Sequence, residues 1–268
     1  MAFRTGLCRG RRKYLIEEGV MISFSEDQRF IVTGASSGIG EGVAVLLNEL
    51  GASVVGIGRD IGRLEAMRAK AAFPERVFVE QKDLAERISE LPDYVSTLRV
   101  KYGKFSGLAC CAGITLNQPL QMKDYAISRN LFDVDYFAPM FLAKAFGDRR
   151  NTVGAGTSVV LVSSCAALRC DRAMSDYAGA KSALCASARS IAREWAPRGL
   201  RINCVLPSDI DTPMTQAITD IIQSRKDEYP MGIGKVSDVA NFIAFLLSDK
   251  ARWLTGQKYV VDAVYGLL

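Results

Sequence analysis

The chain has 268 residues, of which 49% are hydrophobic and 24% are charged. This composition supplies enough apolar side chains for the core of a globular protein. No stretch approaches the roughly 18 consecutive apolar residues of a membrane-spanning helix, so we expect no membrane association. The net charge of +5 is modest and comes partly from the first residues, so nucleic-acid binding is not expected.

Histidine is absent from the sequence, which excludes the histidine-based mechanisms of hydrolases and the HExxH metal site. Acid–base chemistry near neutral pH must therefore use tyrosine, lysine, cysteine or a carboxylate. The seven cysteines include no C-x-x-C pair, so a metal site is not expected. Reduced, buried thiols are typical of a cytoplasmic protein, and the cytoplasm is the location that we predict.

Apolar segments of strand length alternate with helical segments along the chain. The predicted strands cover residues 29–34, 53–58, 76–81, 105–113, 158–164, 201–206 and 258–262. The predicted helices cover residues 40–51, 61–72, 84–102, 121–147, 175–197, 214–224 and 237–248. Apolar strands that alternate with helices indicate a parallel sheet covered on both faces. The sequence therefore predicts an α/β protein with a doubly wound Rossmann fold, in which helices cover both faces of a seven-stranded, mainly parallel sheet.

Residues 21–268 contain no linker and no internal repeat, so we interpret them as a single nucleotide-binding domain. Residues 1–20 form a basic N-terminal extension, which lacks the apolar core of a signal peptide. Three explanations of the extension stay open. It is a start site assigned too early, an appended arm, or a tail that binds a partner.

A glycine-rich turn, TGASSGIG, joins the first predicted strand to the first predicted helix. Gly34, Gly38 and Gly40 would permit a tight turn and the close approach of a pyrophosphate to the backbone. The helix that follows offers unpaired N–H groups to the phosphates, and Ser36 and Ser37 can add hydroxyl donors. The turn predicts a nucleotide site, with an ordinary strand–helix turn as the alternative.

The end of the second predicted strand bears on the choice between NAD and NADP. Proteins that bind NAD commonly place an acidic residue there for the ribose 2′-hydroxyl. Here Gly58 occupies that position and Arg59 follows, and a guanidinium suits a 2′-phosphate. We therefore predict NADP as the cofactor and NAD as the less favoured one, with Asp60 as a competing signal for the ribose.

Tyr177 and Lys181 are four residues apart in a predicted helix, so their side chains share one face. The residues between them, Ala178, Gly179 and Ala180, leave room around the pair. The pair could belong to an ordinary helix surface, or it could transfer protons in a chain without histidine.

Taken together, these motifs resemble those of the short-chain dehydrogenase/reductase family. The resemblance covers about residues 28–265, and its motifs follow the family's order: TGASSGIG, Asp83-Leu84, CAG at 111–113, Ser164, Tyr177-x-x-x-Lys181, Asn203, Pro207 and Thr212. The resemblance implies a Rossmann domain, a nicotinamide cofactor, and hydride transfer between an alcohol and a carbonyl group.

The resemblance also implies a role for each residue of the site. Tyr177 would be the general acid and base, while the ammonium of Lys181 would lower the pKa of that tyrosine and bind the nicotinamide ribose. Ser164 would hold and polarise the substrate oxygen, and Asp135 occupies the fourth catalytic position. The expected cofactor-binding residues are Gly34, Ser36, Ser37, Gly38, Ile39, Gly40, Arg59, Asp83, Leu84, Ala112, Gly113, Tyr177, Lys181, Pro207, Ile210 and Thr212.

The sequence departs from the family's pattern at several positions. The departures are Cys110-Cys111 for two asparagines, Asp135 for an asparagine, Ser208 for a glycine, and Ala263-Val264 for two glycines. In the family, the main-chain carbonyl at position 135 helps to hold a water near the lysine. An aspartate keeps that carbonyl and adds a charge that can pair with Lys181.

Two functions from different classes are compatible with the sequence. The first is an NADP(H)-dependent oxidoreductase that acts on a small carbonyl or alcohol substrate, such as a 3-oxoacyl thioester, a sugar ketone or a steroid. The second is a catalytically weak nucleotide-binding regulator or scaffold that retains the fold. Residues 213–235 are the predicted specificity loop, and apolar residues in the helices around 131–147 and 175–195 predict a homodimer or homotetramer.

Overall fold

A computed structural model describes residues 22–216 and 229–265 of the chain. The predicted extension at 1–20 and most of the predicted helix at 214–224 lie outside the described residues. One sheet forms the centre of the described part. Its strands are β1 (Arg29–Thr33), β2 (Ser53–Gly58), β3 (Val77–Gln81), β4 (Gly107–Cys110), β5 (Ser158–Val162), β6 (Arg201–Pro207) and β7 (Lys258–Val261).

The strands lie side by side in the order β3-β2-β1-β4-β5-β6-β7, and every neighbouring pair is parallel. The chain therefore starts in the middle of the sheet, builds outward to β3, and returns to build the other half from β4. Ligands of doubly wound proteins bind at this reversal, beyond the carboxyl ends of the central strands. The predicted fold class is confirmed.

The inner strands are apolar because both of their faces are covered. Every residue of β2, β5 and β6 is buried, whereas the edge strand β7 alternates between exposed and half-buried residues. The covering helices are α1 (Gly38–Glu49), α2 (Ile61–Lys70), α3 (Leu91–Tyr102), α4 (Tyr125–Phe132), α5 (Ala138–Phe146), α6 (Ala166–Arg169), α7 (Ser175–Trp195), α8 (Pro213–Gln216) and α9 (Val236–Leu247).

Two hydrophobic cores cover the two faces of the sheet. On one face, α3, α5 and α7 contribute buried residues such as Leu98, Leu142 and Leu184. On the other face, α1, α2 and α9 contribute residues such as Leu47 and Ile243. This arrangement fixes the carboxyl ends of β1, β4 and β5, which carry most of the predicted site.

The predicted helix at 84–102 is wrong at its beginning, because α3 starts only at Leu91. The side chain of Asp83 accepts a hydrogen bond from the N–H of Ala85 at 2.9 Å, which closes a local turn in place of a helical turn. Arg87 then adopts a left-handed backbone, with φ of 51°. A short 3₁₀ segment at Ile88–Glu90 leads into the helix.

The predicted helix at 121–147 is divided into several pieces. Asp124 caps α4 by accepting hydrogen bonds from the N–H groups of Ala126 and Ile127. A π-helical segment, Asp133–Phe137, separates α4 from α5. Pro139 lacks an N–H with which to close an α-helical bond onto the carbonyl of residue 135. The π-helical segment contains Asp135, a predicted site residue, and such segments often occur at functional sites.

The predicted strand at 105–113 is also too long, because β4 ends at Cys110. The N–H groups of Cys111 and Ala112 both donate to the hydroxyl of Thr33 at 3.1 Å. This side chain takes the place of a strand partner and turns the chain out of the sheet. The turn carries residues 111–113 to the edge of the cofactor cavity.

Candidate active site

The turn between β1 and α1 has the backbone that the glycine pattern predicts. Gly34 has φ of 67°, and a Cβ atom there would lie 2.8 Å from the backbone nitrogen of Ala112. A Cβ atom on Gly40 would overlap the carbonyl oxygen of Gly34. These positions therefore accept only glycine without rearrangement. The backbone lies open to a cavity at the start of α1, so the turn fits the phosphates of a dinucleotide.

This cofactor cavity, of about 220 Å³, begins at the glycine turn and runs along the ends of β1, β2 and β4. It brings together most of the predicted cofactor-binding residues: Gly34, Ser36, Ser37, Gly38, Ile39, Gly40, Arg59, Asp83, Leu84, Ala112, Gly113 and Thr212. The remaining four, Tyr177, Lys181, Pro207 and Ile210, line a second cavity of about 200 Å³. Because residues such as Gly113 and Thr212 line both cavities, the two adjoin.

The structure distinguishes between Arg59 and Asp60, the two residues after β2 that could bind the ribose end of the cofactor. Asp60 caps α2 by accepting a hydrogen bond from the N–H of Arg63 at 3.0 Å, so its side chain is engaged by the helix. Arg59 lines the cofactor cavity, and its carbonyl accepts a hydrogen bond from Gln81 at 2.9 Å. Lys82 lines the same cavity and was missed by the sequence reasoning. Lys82 directly precedes Asp83, a predicted cofactor-binding residue, and this position could have identified it from the sequence.

The second cavity, which we call the substrate cavity, contains three of the four predicted catalytic residues in its lining: Ser164, Tyr177 and Lys181. Tyr177 and Lys181 lie on α7, with the Lys181 Nζ 5.6 Å from the centre of the Tyr177 ring. Ser164 lies after β5 and lines the same cavity. Lys181 is held from both ends, because its Nζ donates to the carbonyl of Val162 at 3.1 Å and its carbonyl accepts from the Ser163 hydroxyl at 2.9 Å.

Asp135 lies directly behind Lys181, so the π-helical segment brings the fourth predicted residue to the other three. Its Oδ2 is 3.3 Å from the Lys181 Nζ, and the two side chains are only 0% and 5% exposed. Its Oδ1 accepts a hydrogen bond from the N–H of Ile114 at 2.8 Å. Gly113 permits this packing, because a Cβ atom there would lie 3.3 Å from both charged groups.

Burial and mutual attraction oppose each other in this ion pair. Burial raises the pKa of the Asp135 carboxyl, although Lys181 and the Ile114 N–H partly lower it. Burial lowers the pKa of Lys181, but the interactions with the acidic groups of Asp135 and Tyr177 outweigh that effect and leave the pKa raised. Lys181 therefore remains an ammonium across the neutral range.

Lys181 lowers the pKa of Tyr177 as predicted, but the net pKa of Tyr177 is raised in this structure. Burial raises the pKa of Tyr177, and the Lys181 ammonium and the Ser164 hydroxyl lower it only in part. The carboxylates of Asp135 and Asp209 act against Lys181 and raise the pKa further. Tyr177 is therefore protonated at neutral pH, as a proton donor to a carbonyl must be.

Of the two cysteines that replace the family's asparagines, Cys110 is buried and Cys111 is half-buried at the edge of both cavities. Cys110 is 4% exposed, and burial raises its pKa. Burial also raises the pKa of Cys111 to about 12. Both side chains are thus neutral. The described residues contain no group of three or more histidine, cysteine or acidic side chains that could hold a metal ion.

A tyrosine cluster at the far end of the substrate cavity was missed by the sequence reasoning. Tyr229 and Tyr265 stack with ring centres 4.9 Å apart, and their hydroxyls donate to Asp209 and Asp171. Tyr265 and both aspartates line the cavity. Of the predicted specificity loop at 213–235, the structure describes only 213–216 and 229–235, and Met214 and Thr215 line the cavity.

Known proteins match the sequence of this chain over nearly all of the residues that the structure describes. A family model described as enoyl-(acyl carrier protein) reductase matches residues 34–265. The 3-oxoacyl-[acyl-carrier-protein] reductase FabG of Thermotoga maritima is 30% identical over 240 residues, with 87% of this chain and 95% of the relative covered. The D-erythrulose reductase of Gallus gallus is 31% identical, with 88% and 94% covered.

Solved structures show the same likeness. A short chain dehydrogenase from Burkholderia cenocepacia J2315, in complex with NADP, superposes with a TM-score of 0.83. It is 28% identical to this chain, and the match covers 89% of this chain and 97% of the other. The likeness therefore includes sequence as well as fold.

Proposed function

Because the chain belongs to the short-chain dehydrogenase/reductase family of oxidoreductases, we propose that it transfers hydride between NADP(H) and a small carbonyl or alcohol substrate, with Tyr177 as the general acid and base. The observation that carries this proposal is the buried group around Lys181. Tyr177, Lys181 and Ser164 line one cavity, which adjoins a cavity with a dinucleotide-type glycine turn. The chain has no histidine that could replace Tyr177 in proton transfer.

The preference for NADP over NAD is supported by the charges at the end of β2. Arg59 and Lys82 line the cavity there, and two cations suit a 2′-phosphate. Asp60, the acid that could have favoured NAD, caps α2 instead. A Cβ atom on Gly58 would lie 3.1 Å from the Ser36 hydroxyl, which leaves little room for an acidic side chain at that position.

Side chains of this protein would carry out the proton transfer. The bound cofactor would supply the hydride that reaches the carbonyl carbon, and Tyr177 would donate its phenolic proton to the oxygen, which yields the alcohol. Ser164 would hold the oxygen by a hydrogen bond. Lys181 would stabilise the phenolate that remains, and it would also bind the ribose of the nicotinamide. In the reverse direction, the phenolate would accept the proton.

Turnover by the purified full-length chain with NADPH and a panel of small ketones tests this function. We expect Tyr177→Phe to reduce turnover by about 100-fold to 10,000-fold, the usual contribution of a general acid. NADPH binding should be retained, and Tyr125→Phe, at a residue that is 78% exposed, is the matched control. NADPH binding without any turnover above the Tyr177→Phe background would support the alternative of a nucleotide-binding regulator.

The proposal includes a homodimer or homotetramer formed through the outer faces of α5 and α7. Met140 of α5 is half-buried, and of the adjoining π-helical segment Tyr136 is half-buried and Phe137 is exposed, as an interface would require. Ala188 and Ala192 are 1% and 5% exposed and cover the sheet within the subunit, so they are not available to a partner. Light scattering at micromolar concentration tests the assembly, and a monomer would contradict it.

Cytoplasmic location and the lack of nucleic-acid binding remain predictions. Within residues 22–216 and 229–265, no helix has the length and apolar character needed to cross a bilayer.

A further inference from the structure

The substrate cavity carries one charge that the proposed chemistry does not use. Its described lining contains three charged side chains, which are Lys181, Asp171 and Asp209. Lys181 is paired with Asp135, and Asp171 is paired with Arg169 at 3.1 Å. Asp209 forms no ion pair with any residue in the described ranges. Among the residues that the structure describes, the lining therefore leaves one negative charge that no basic side chain balances.

Asp209 is held at the carboxyl end of β6 by the tyrosine cluster. The hydroxyl of Tyr229 donates to one of its oxygens, and Tyr229 stacks on Tyr265 with an interplanar angle of 15°. The hydroxyl of Tyr265 donates to Asp171 at 3.2 Å. An ionised carboxylate can accept about four hydrogen bonds, and the described residues give the Asp209 side chain one, from Tyr229, which leaves acceptor capacity for a ligand.

The rest of the cavity suits a small and polar ligand. Its volume of about 200 Å³ is below the range of about 300–1,000 Å³ that is typical of pockets for drug-sized ligands. Thr115, Asn117 and Ser208 add further hydrogen-bonding groups to the lining. The reacting end of the cavity is marked by Tyr177 and Ser164, so Asp209 would contact the part of the substrate beyond the carbonyl.

We propose that Asp209 determines substrate specificity, and that the substrate is a small ketone without a negative charge, whose hydroxyl or ammonium groups donate hydrogen bonds to this carboxylate. The inference rests on the proposed function and names the substrate class of the same site. A ketone that carries a carboxylate or a phosphate would bring a second negative charge close to Asp209, and such repulsion is strong where water is excluded. An apolar ketone would desolvate the carboxylate without replacing its hydrogen bonds.

The full-length chain, assayed with NADPH, tests the inference through four small ketones. Erythrulose carries hydroxyls, butanone has none, acetoacetate is an anion and aminoacetone is a cation. We expect kcat/KM for erythrulose to be about 10-fold or more above that for butanone and acetoacetate, as one hydrogen bond to a charged group would give. Aminoacetone, whose ammonium can donate to the same carboxylate, should also exceed both. A kcat/KM for butanone or acetoacetate that equals or exceeds that for erythrulose would overturn the proposed substrate class.

Two variants isolate the carboxylate. Asp209→Leu is similar in size and cannot accept hydrogen bonds, so kcat/KM for erythrulose should fall about 10-fold to 100-fold. Tyr229→Phe removes the hydroxyl that donates to Asp209 but leaves the negative charge of Asp209 in place. The order of kcat/KM among the four ketones should therefore be preserved. Thermal unfolding shows whether each variant folds. If Asp209→Leu does not fold, Asp209→Asn replaces it, and the ratio of erythrulose to acetoacetate should fall.

The failure of this inference can be distinguished from the failure of the proposed function. If NADPH binds but none of a broader ketone panel is reduced, the oxidoreductase proposal falls and the substrate class falls with it. If ketones are reduced but the unmodified protein prefers butanone or acetoacetate, only the inference falls. An unchanged order and magnitude in a folded Asp209 variant would likewise overturn the role of Asp209 alone.

Discussion

The cofactor half of the molecule, which forms the cofactor cavity, and the substrate half, which forms the substrate cavity, follow the family's sequence pattern to different degrees. In the cofactor half, the left-handed positions in the β1–α1 turn, Gly34 and Gly38, are glycines with φ of 67° and 57°. In the substrate half, Ala263 and Val264 also adopt positive φ, of 49° and 81°, where the family has glycines. The backbone course is thus kept in both halves, although only the cofactor half keeps the residue type that suits it.

This difference indicates that the cofactor half requires a particular backbone, whereas the substrate half depends on side chains. The turn faces the cofactor cavity, and Cβ atoms on Gly34 and Gly40 would meet the backbone of Ala112 and Gly34, so its course requires glycine at these positions. A substrate contacts side chains that can vary with its chemistry, and the altered residues Asp135 and Ala263-Val264 lie next to such groups. Val264 directly precedes Tyr265, which lines the substrate cavity.

The largest effect is expected from a side chain in the cofactor turn. Gly40→Ala should abolish NADPH binding and lower the free energy of unfolding, because the added Cβ atom would overlap the carbonyl oxygen of Gly34. Thermal unfolding with and without NADPH measures both effects. Gly62→Ala is the control, since its Cβ atom would meet only the Asp60 side chain at 3.4 Å. Normal NADPH binding by Gly40→Ala would show that the turn is more adaptable than its geometry indicates.

A smaller effect is expected at the 2′-phosphate end of the cofactor cavity. Arg59→Ala should weaken NADPH binding about 10-fold and leave NADH binding nearly unchanged, because an exposed ion pair contributes modestly. Fluorescence titration with both cofactors gives the two dissociation constants. Arg63→Ala is the matched control, since Arg63 pairs with Asp60 on the helix. Tighter binding of NADH than of NADPH by the unmodified protein would overturn the cofactor assignment.

The smallest effect is expected in the substrate half. Val264→Gly should raise the free energy of unfolding by about 1 kcal/mol, because a β-branched residue is strained at φ of 81°. Denaturant unfolding measures the change. Val153→Gly is a control at a residue that is 51% exposed and does not have positive φ, so it should be neutral or destabilising. A loss of stability in Val264→Gly comparable to that control would indicate that the strain is negligible.

The sequence predicted the parts of the molecule that follow from local patterns. Apolar runs of strand length identified all seven strands, and the small residues around Tyr177 marked a helix that extends from Ser175 to Trp195. The glycine turn was predicted because its conformational requirement falls on adjacent residues. Resemblance to a family supplied the roles of Ser164 and Asp135, which residue patterns alone did not give.

The parts that were missed depend on contacts between distant segments. Asp209, Tyr229 and Tyr265 meet from different loops, so no spacing along the chain indicates that they share a wall. The pairing of Asp135 with Lys181 was predicted, but the raised net pKa of Tyr177 was not, because it depends on burial, which the sequence does not give. The shortened α3 follows from a single side-chain hydrogen bond of Asp83.

The central claim is that Tyr177 exchanges the proton and that Asp135 opposes Lys181 in setting its pKa. In alcohol oxidation the phenolate is the active form, so activity should rise with pH toward the pKa of Tyr177. Asp135→Asn removes a negative charge beside Lys181, so the pKa of Tyr177 should fall and this rise should move to lower pH. In ketone reduction the phenol is the active form, and the loss of activity at high pH should move in the same direction.

The measurement that tests this claim most directly is the pH profile of kcat for Asp135→Asn beside the unmodified protein. Asp133→Asn is the control, because Asp133 lies in the same π-helical segment and pairs with Arg129 at the surface. We predict a profile displaced to lower pH, with kcat at its plateau retained or modestly raised, and no displacement in the control. An unmoved profile, or a large loss of kcat in Asp135→Asn with folding and NADPH binding intact, would contradict the account.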